Sequence, residues 1–246
     1  MKKQLFFLFT LIGLLSTACS KHSNKPEPSK SRCKISAETG GLNNYSFTYN
    51  SDGKVQTISS GTLLTTLTYS GNMTIATTKN NSGVFYKKAT ITFNEDGMTT
   101  NEKVEEDKSG TQWENYAYVY NGTQLIKEII SYSPLGGTPM PSLTITYTWS
   151  GGNPLSETVP NGSGVITYTY EYYLDKTSQQ GGYLRFYDLT GGIKTVLPKN
   201  LVKSVSGNAN IENYSYNFDN DGKISDFTEV ISNGNTYTYN LQYQCK

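Results

Sequence analysis

One histidine, three cysteines and a scatter of carboxylates are what this 246-residue chain offers to chemistry. His22 is the only imidazole, so Ser-His-Asp and Cys-His nucleophile pairs have no base and His-built zinc sites have no ligands. No Gly-rich loop runs into Lys-Ser or Lys-Thr, the arrangement that cradles a nucleotide phosphate. The stretch Asn217-Phe218-Asp219-Asn220-Asp221-Gly222 has calcium-loop character. Asn217 opens it, however, and Thr228 stands where such a loop needs a bidentate Glu, so a hairpin turn is the better reading. Glu157, Glu171, Asp175 and Asp188 are the acids a glycosidase would draw on, and their spacing selects no pair. The charge-dense run Glu102 to Lys108 reads as a solvated hairpin tip in preference to a cation site. These residues point to a non-enzyme with no cofactor and no bound metal.

The cysteines divide by position. Lys2 and Lys3 precede an apolar run from Leu5 to Leu15, and Ser16-Thr17-Ala18 leads into Cys19. The run is too short to span a bilayer, which takes roughly 20 apolar residues. It has the form of a secretory signal over residues 1–18. A Cys placed directly after small residues resembles a bacterial lipobox, which implies lipidation at Cys19. Ser16 stands where the usual Leu of that motif would be. Ser20 to Arg32 is polar and Pro-bearing, a flexible tether over residues 19–32. Removal of residues 1–18 takes away two lysines and no acid, moving the formal charge from +1 to −1. Such a chain has no electrostatic footprint for nucleic acid, and its hold on a membrane rests on the lipid. The expected location is the outer membrane, as a lipoprotein facing the periplasm or the cell surface. Ser20-Lys21-His22-Ser23 leans toward the periplasm. Cys33 and Cys245 remain, one at each end of residues 33–246. In an oxidising compartment they read as a disulfide, with free thiols as the alternative. Closing a loop of that length would stabilise the fold by roughly 5 kcal/mol in the loop-entropy account.

Residues 33–246 repeat themselves. Tyr45-Ser-Phe-Thr-Tyr49, Ala89-Thr-Ile-Thr-Phe93, Tyr116-Ala-Tyr-Val-Tyr120, Leu143-Thr-Ile-Thr-Tyr-Thr-Trp149 and Tyr214-Ser-Tyr-Asn-Phe218 each alternate large and small polar residues, then turn on Asn, Asp or Gly. Alternation of period two marks half-buried strands, and Asn-Gly or Asp-Gly closes hairpins. Tyr49, Tyr69, Phe93, Tyr120 and Trp149, the aromatics before successive turns, recur every 20 to 29 residues. This predicts an all-β fold: one domain, a long, twisted, curved antiparallel meander of repeated hairpins, its ends tied by Cys33–Cys245. Parity places both cysteines on the apolar faces of the terminal strands. Equal placement before the turns predicts that Tyr49, Phe93, Tyr120, Trp149 and Phe218 share a buried layer. Tyr172 to Gly192 is the least regular stretch, fitting a long loop or a short helical turn.

The units YSFTYNSDGKVQTIS and YSYNFDNDGKISDFTEV, the segment LPKNLVKSVS and the closing YTYNLQYQC together resemble Bacteroidota-type envelope lipoproteins with YD-like repeats. The likeness to Rhs-type YD repeats is looser, since only Phe218-Asp219 keeps the aromatic-Asp step. The resemblance implies an architecture and no activity. Twenty Tyr, nine Phe and two Trp remain as the functional clue, because such rings stack on sugars or proteins and equally cover thin sheets. Trp149, Trp113 and Tyr147 are the candidate ligand-stacking residues. The expected function is a monomeric, non-enzymatic module that binds a glycan or an envelope protein. A carrier of a lipophilic ligand in a curved sheet is the alternative, and a glycan-active enzyme a third. A continuous apolar cavity would favour the carrier, a Tyr/Trp strip the binder, and two carboxylates facing each other in a cleft the enzyme.

Overall fold

The computed structural model describes residues 33–245, apart from 42–43, 135–136, 141–142, 184–194 and 209. The signal, Cys19 and the tether lie outside the described residues. Sixteen strands follow one another: β1 (Lys34–Gly40), β2 (Tyr45–Tyr49), β3 (Val55–Ser60), β4 (Leu63–Ser70), β5 (Met73–Asn80), β6 (Phe85–Phe93), β7 (Thr99–Glu105), β8 (Trp113–Asn121), β9 (Gln124–Ser133), β10 (Leu143–Ser150), β11 (Asn153–Asn161), β12 (Gly164–Thr177), β13 (Asn200–Gly207), β14 (Asn210–Phe218), β15 (Ile224–Ile231) and β16 (Thr236–Gln244). Each pairs antiparallel with its neighbours in sequence. The last returns to the first, with Lys34 opposite Gln244 and Gly40 opposite Tyr239. The meander is therefore a closed barrel. Closure removes both sheet edges, which an open meander of this length would expose.

Local chemistry sets the turns. In Asn50-Ser-Asp-Gly53-Lys54 and Asp219-Asn-Asp-Gly222-Lys223 the first side chain accepts the amide of the fifth residue at 2.9 Å. The fourth residue has positive φ, 77° at Gly53 and 78° at Gly222, which favours Gly there. Most of these hairpins then carry a bulge at the same place. The ladder shifts just before Tyr49, Phe93, Tyr120, Trp149 and Phe218, where the strand leaving the turn holds one extra residue. A bulge bends and twists the ladder, which suits closure into a barrel.

Cys33 and Cys245 are joined, bridging a sequence separation of 212. Parity placed the bond on an inward face. It lies instead just beyond the β1–β16 ladder, with Cys245 exposed, so it staples the rim of the barrel. This disulfide end also carries the turns after β2, β4, β6, β8, β10 and β14, together with the long β12–β13 connection. Strand β12 continues to Thr177, well into the stretch that looked irregular. The following residues enter the barrel: Gly181 and Gly182 are buried against Ile35, Leu241, Leu201 and Ile224. Tyr183 stacks on Tyr214 at 4.2 Å. The remainder of that stretch, 184–192, is outside the described residues.

The core lies on one face of the sheet. Ile35, Phe47, Ile58, Leu67, Ile91, Tyr214, Phe227 and Leu241 are buried together. The registers link them across strands, Phe47 facing Ile58, Ala76 facing Ala89 and Phe227 facing Tyr239. This is the interior of the barrel.

Candidate ligand-binding interior

Following the same registers around the wall fixes what the interior presents. Glu102 faces Tyr116, Tyr118 faces Glu128, and Tyr147 faces Glu157. Glu157 also faces Tyr168, and Tyr214 faces Glu229. Through β7–β12 the inner wall is thus a mosaic of tyrosine and glutamate, while β1–β6 and β13–β16 supply most of the apolar core. Hydroxyls serve the acids: Tyr147 donates to Glu128 at 3.0 Å, Tyr170 to Glu157 at 2.8 Å, Tyr239 to Glu229 at 3.0 Å and Tyr116 to Glu114. Tyr214 donates to Glu212 at 2.7 Å.

Burial disfavours the charged carboxylates on this wall. Glu102 is pushed up to about 7, chiefly by desolvation, with Lys87 and the bond from Tyr118 opposing and Glu128 and Glu114 adding repulsion. Glu128 is raised by burial and by Glu157, against the hydrogen bond from Tyr147. Glu157 is raised by burial, against the bond from Tyr170. Glu38 on β1 is the extreme case. It is fully buried, neither carboxylate oxygen has a hydrogen-bond partner among the described residues, and desolvation lifts it to about 7.

The outer wall is different in kind. Its positions are largely Thr, Ser, Asn and Lys, and hydroxyls pair across the ladder. Thr48 meets Thr57 at 2.7 Å, Thr148 meets Ser156 at 2.6 Å and Thr169 meets Ser206 at 2.7 Å. Lys88 and Lys103 hold Glu105 at 2.7 and 3.0 Å and keep its carboxyl below the usual range. The run Glu102 to Lys108 is therefore only partly a hairpin tip: Glu102 points inward and Glu105 belongs to a strand. Exposed apolar residues are set among these polar groups, Leu64, Val119, Val165, Ile211 and Val230 on different strands, with Leu155 on β11 and Leu174 at the far end of β12 exposed as well.

The three candidate stacking residues are not brought together. Trp113 opens β8 on the outer face, opposite Glu105, with the Lys103 ammonium 5.8 Å from its ring centre. Tyr147 and Trp149 share the inner face of β10. Trp149 is half-buried and its indole donates to the Leu125 carbonyl at 2.7 Å. The expected layer of pre-turn aromatics takes the form of a ring of latches. Tyr49 reaches the Ile35 carbonyl at 2.6 Å, Tyr69 that of Val55 at 2.6 Å and Tyr120 that of Thr99 at 2.6 Å. Tyr243 reaches that of Ile224 at 2.7 Å. Each ring lies over the preceding strand. The rings are half-buried, and Phe218 is 39% exposed, because the layer sits at the rim instead of in the core. Of the wall's glutamates, sequence reasoning named Glu157 only as one of four scattered acids and Glu102 only within a charged run, and passed over Glu114 and Glu128, although alternation carried the signal: Glu114, Tyr116 and Tyr118 share one parity.

No family model and no curated protein matches the sequence. Among solved structures, the chain is similar to the crystal structure of a porin-like protein from Bacteroides uniformis, at a TM-score of 0.61 and 16% identity, over 86% of this chain and 96% of that one. The likeness is one of fold. A membrane pore of this class turns an apolar band to lipid and polar groups to its channel. Among the described residues the outer wall carries hydroxyl ladders with apolar side chains scattered among them, and the inner wall carries both carboxylates and apolar groups.

Proposed function

We propose that the chain is an envelope lipoprotein whose barrel stands in water and binds a ligand within, as a non-enzymatic module. The observation that carries this reading is the distribution of polarity. Threonine and serine ladders cover the outside, and rings, aliphatics and carboxylates cover the inside. The Cys19 signal supplies the anchor, so the barrel has no need to cross the membrane itself. The resemblance to Bacteroidota-type lipoproteins with YD-like repeats agrees with an outer-membrane location, facing the periplasm or the surface. A tyrosine and glutamate wall suits a hydroxyl-rich ligand such as a glycan, since rings cover sugar faces and carboxylates accept from sugar hydroxyls.

Calorimetric titration with neutral oligosaccharides tests this. Saturable binding that Tyr147→Ala weakens at least about tenfold, the worth of roughly 1.4 kcal/mol, is the expected result. Absence of binding across a broad glycan panel, or binding indifferent to Tyr147 and Glu128, contradicts the glycan reading.

A further inference from the structure

The disulfide end of the barrel holds a second feature, separate from the tyrosine and glutamate wall. A cavity of about 690 Å³ opens there between the turns of β2–β3, β4–β5 and β6–β7 and the entering segment at Gln180. That volume lies within the roughly 300–1,000 Å³ of small-molecule sites. Val55, Met73, Tyr49, Tyr69 and Phe93 supply apolar walls. The hydroxyls of Tyr49 and Tyr69 are committed to the Ile35 and Val55 carbonyls, so these rings are fixed and present their faces. Phe93 occupies the same place in its unit without a hydroxyl.

Two ammonium groups border the cavity. Lys34 lies 4.9 Å from the centre of the Tyr49 ring and donates to the Gly53 carbonyl. Lys54 lies 4.9 Å from the centre of the Tyr69 ring. Neither is among the ion pairs of the described residues. A third copy of the same device shows that this is a choice of residues. Lys223 sits over Tyr243 at 5.7 Å, but Asp219 and Asp221 hold its ammonium at 3.0 and 2.6 Å. In the turn before Lys54, Asn50 stands where the other turn has Asp219, and Asp52, at the place of Asp221, forms no ion pair with Lys54 among the described residues. Glu95 is the acid on the cavity lining and is exposed, on the opposite hairpin. Burial keeps the Tyr49 hydroxyl neutral, pushed up to about 12, and raises Tyr69 as well.

We propose that this mouth binds an amphiphilic anion, its apolar body against Val55, Tyr69 and Phe93 and its single anionic head between Lys34 and Lys54. The ligand class follows from what converges there: fixed rings, aliphatic walls and two cations that belong to no ion pair among the described residues. It differs from the hydroxyl-rich ligand of the inner wall, and either site can fail without the other.

The test uses the full-length chain carrying Cys19→Ser, so that no attached acyl group competes, titrated calorimetrically with laurate below its micelle concentration. Dodecanol and dodecyltrimethylammonium serve as the uncharged and cationic counterparts. Laurate should bind saturably and more tightly than either. Lys34→Met and Lys54→Met keep the apolar stems and should each weaken laurate about tenfold, the worth of one charge-assisted hydrogen bond. Dodecanol binding should be unchanged by both, which also shows that the cavity is intact. Rising salt should weaken laurate and leave dodecanol alone. Tyr147→Ala, on the inner wall, should leave laurate binding as it was. Equal affinity for laurate and dodecanol, or laurate binding untouched when both lysines are replaced, overturns the proposal, as does the absence of saturable laurate binding.

Discussion

Glu38 is a carboxylate that the fold prefers to keep protonated. Its folded value near 7 stands above the ordinary 4.5, so between those limits the folded chain holds a proton that the unfolded chain releases. Stability contributed here is full below about pH 4.5, falls as pH rises toward 7 and is flat beyond. Glu102, raised to about 7 by burial, acts in the same direction. Chemical denaturation should therefore find the protein more stable at pH 5 than at pH 8. Glu38→Gln should recover about 2–3 kcal/mol at pH 8 and remove its own share of that dependence, the share of Glu102 remaining; a Gln variant with an unaltered pH profile would contradict the assignment. The latches make a second prediction at this scale. Tyr69→Phe removes one donor from a main-chain carbonyl and should cost about 1 kcal/mol in thermal or urea unfolding. Trp149→Ala removes a half-buried ring and its bond to Leu125, and should cost about 2 kcal/mol, less than the 3–5 kcal/mol of a fully buried tryptophan. Individual aromatics were legible as a class because they recur before turns. Their burial was not, because the bulge beside each ring and the carbonyl it reaches belong to the neighbouring strand.

Strands and turns were the most legible level. The strands that run into the turns, β2, β6, β8, β10 and β14, each carry their own alternation and their own Asn, Asp or Gly stop, so local chemistry places them, whereas β7 holds the start of the run that read as a hairpin tip. The departures occur where an element depends on distant partners. Strand β12 runs to Thr177 because its far end is tied by contacts absent from its own sequence. Asn200 donates to the carbonyls of Leu174 and Lys176 at 3.1 and 3.3 Å, and Asn153 donates to Asn200 at 3.0 Å. Both asparagines are buried. Asn200→Ala would leave several of these groups unpaired and should destabilise by about 2–3 kcal/mol in urea unfolding. A neutral effect would mean that β12 is held by its ladder alone. The same principle governs Gly181, where an added methyl would meet Leu241 at 2.4 Å with φ at +91°. Nothing in the surrounding Gln-Gln-Gly-Gly-Tyr sequence announces that this segment enters the barrel.

For the molecule as a whole, the all-β class, the antiparallel meander and the joining of Cys33 to Cys245 could be read from alternation, turn chemistry and cysteine number. Closure could not, since a meander has the same period whether its last strand meets solvent or its first strand. The candidate site was legible only in fragments. Tyr147 and Trp149 do share the inner face, whereas Trp113 lies outside, and the glutamates that pair with the tyrosines become a wall only once sixteen registers are aligned. Those registers also fix the feature on which the functional reading rests, a barrel polar outside and aromatic, aliphatic and acidic within. The most direct measurement is the behaviour of the Cys19→Ser chain, exported and unlipidated, in plain buffer. The predicted result is a soluble monomer by size-exclusion chromatography with light scattering, without detergent, that adds no conductance to a planar lipid bilayer. A chain that needs detergent to stay in solution and opens ion-conducting channels would contradict a water-facing binding barrel.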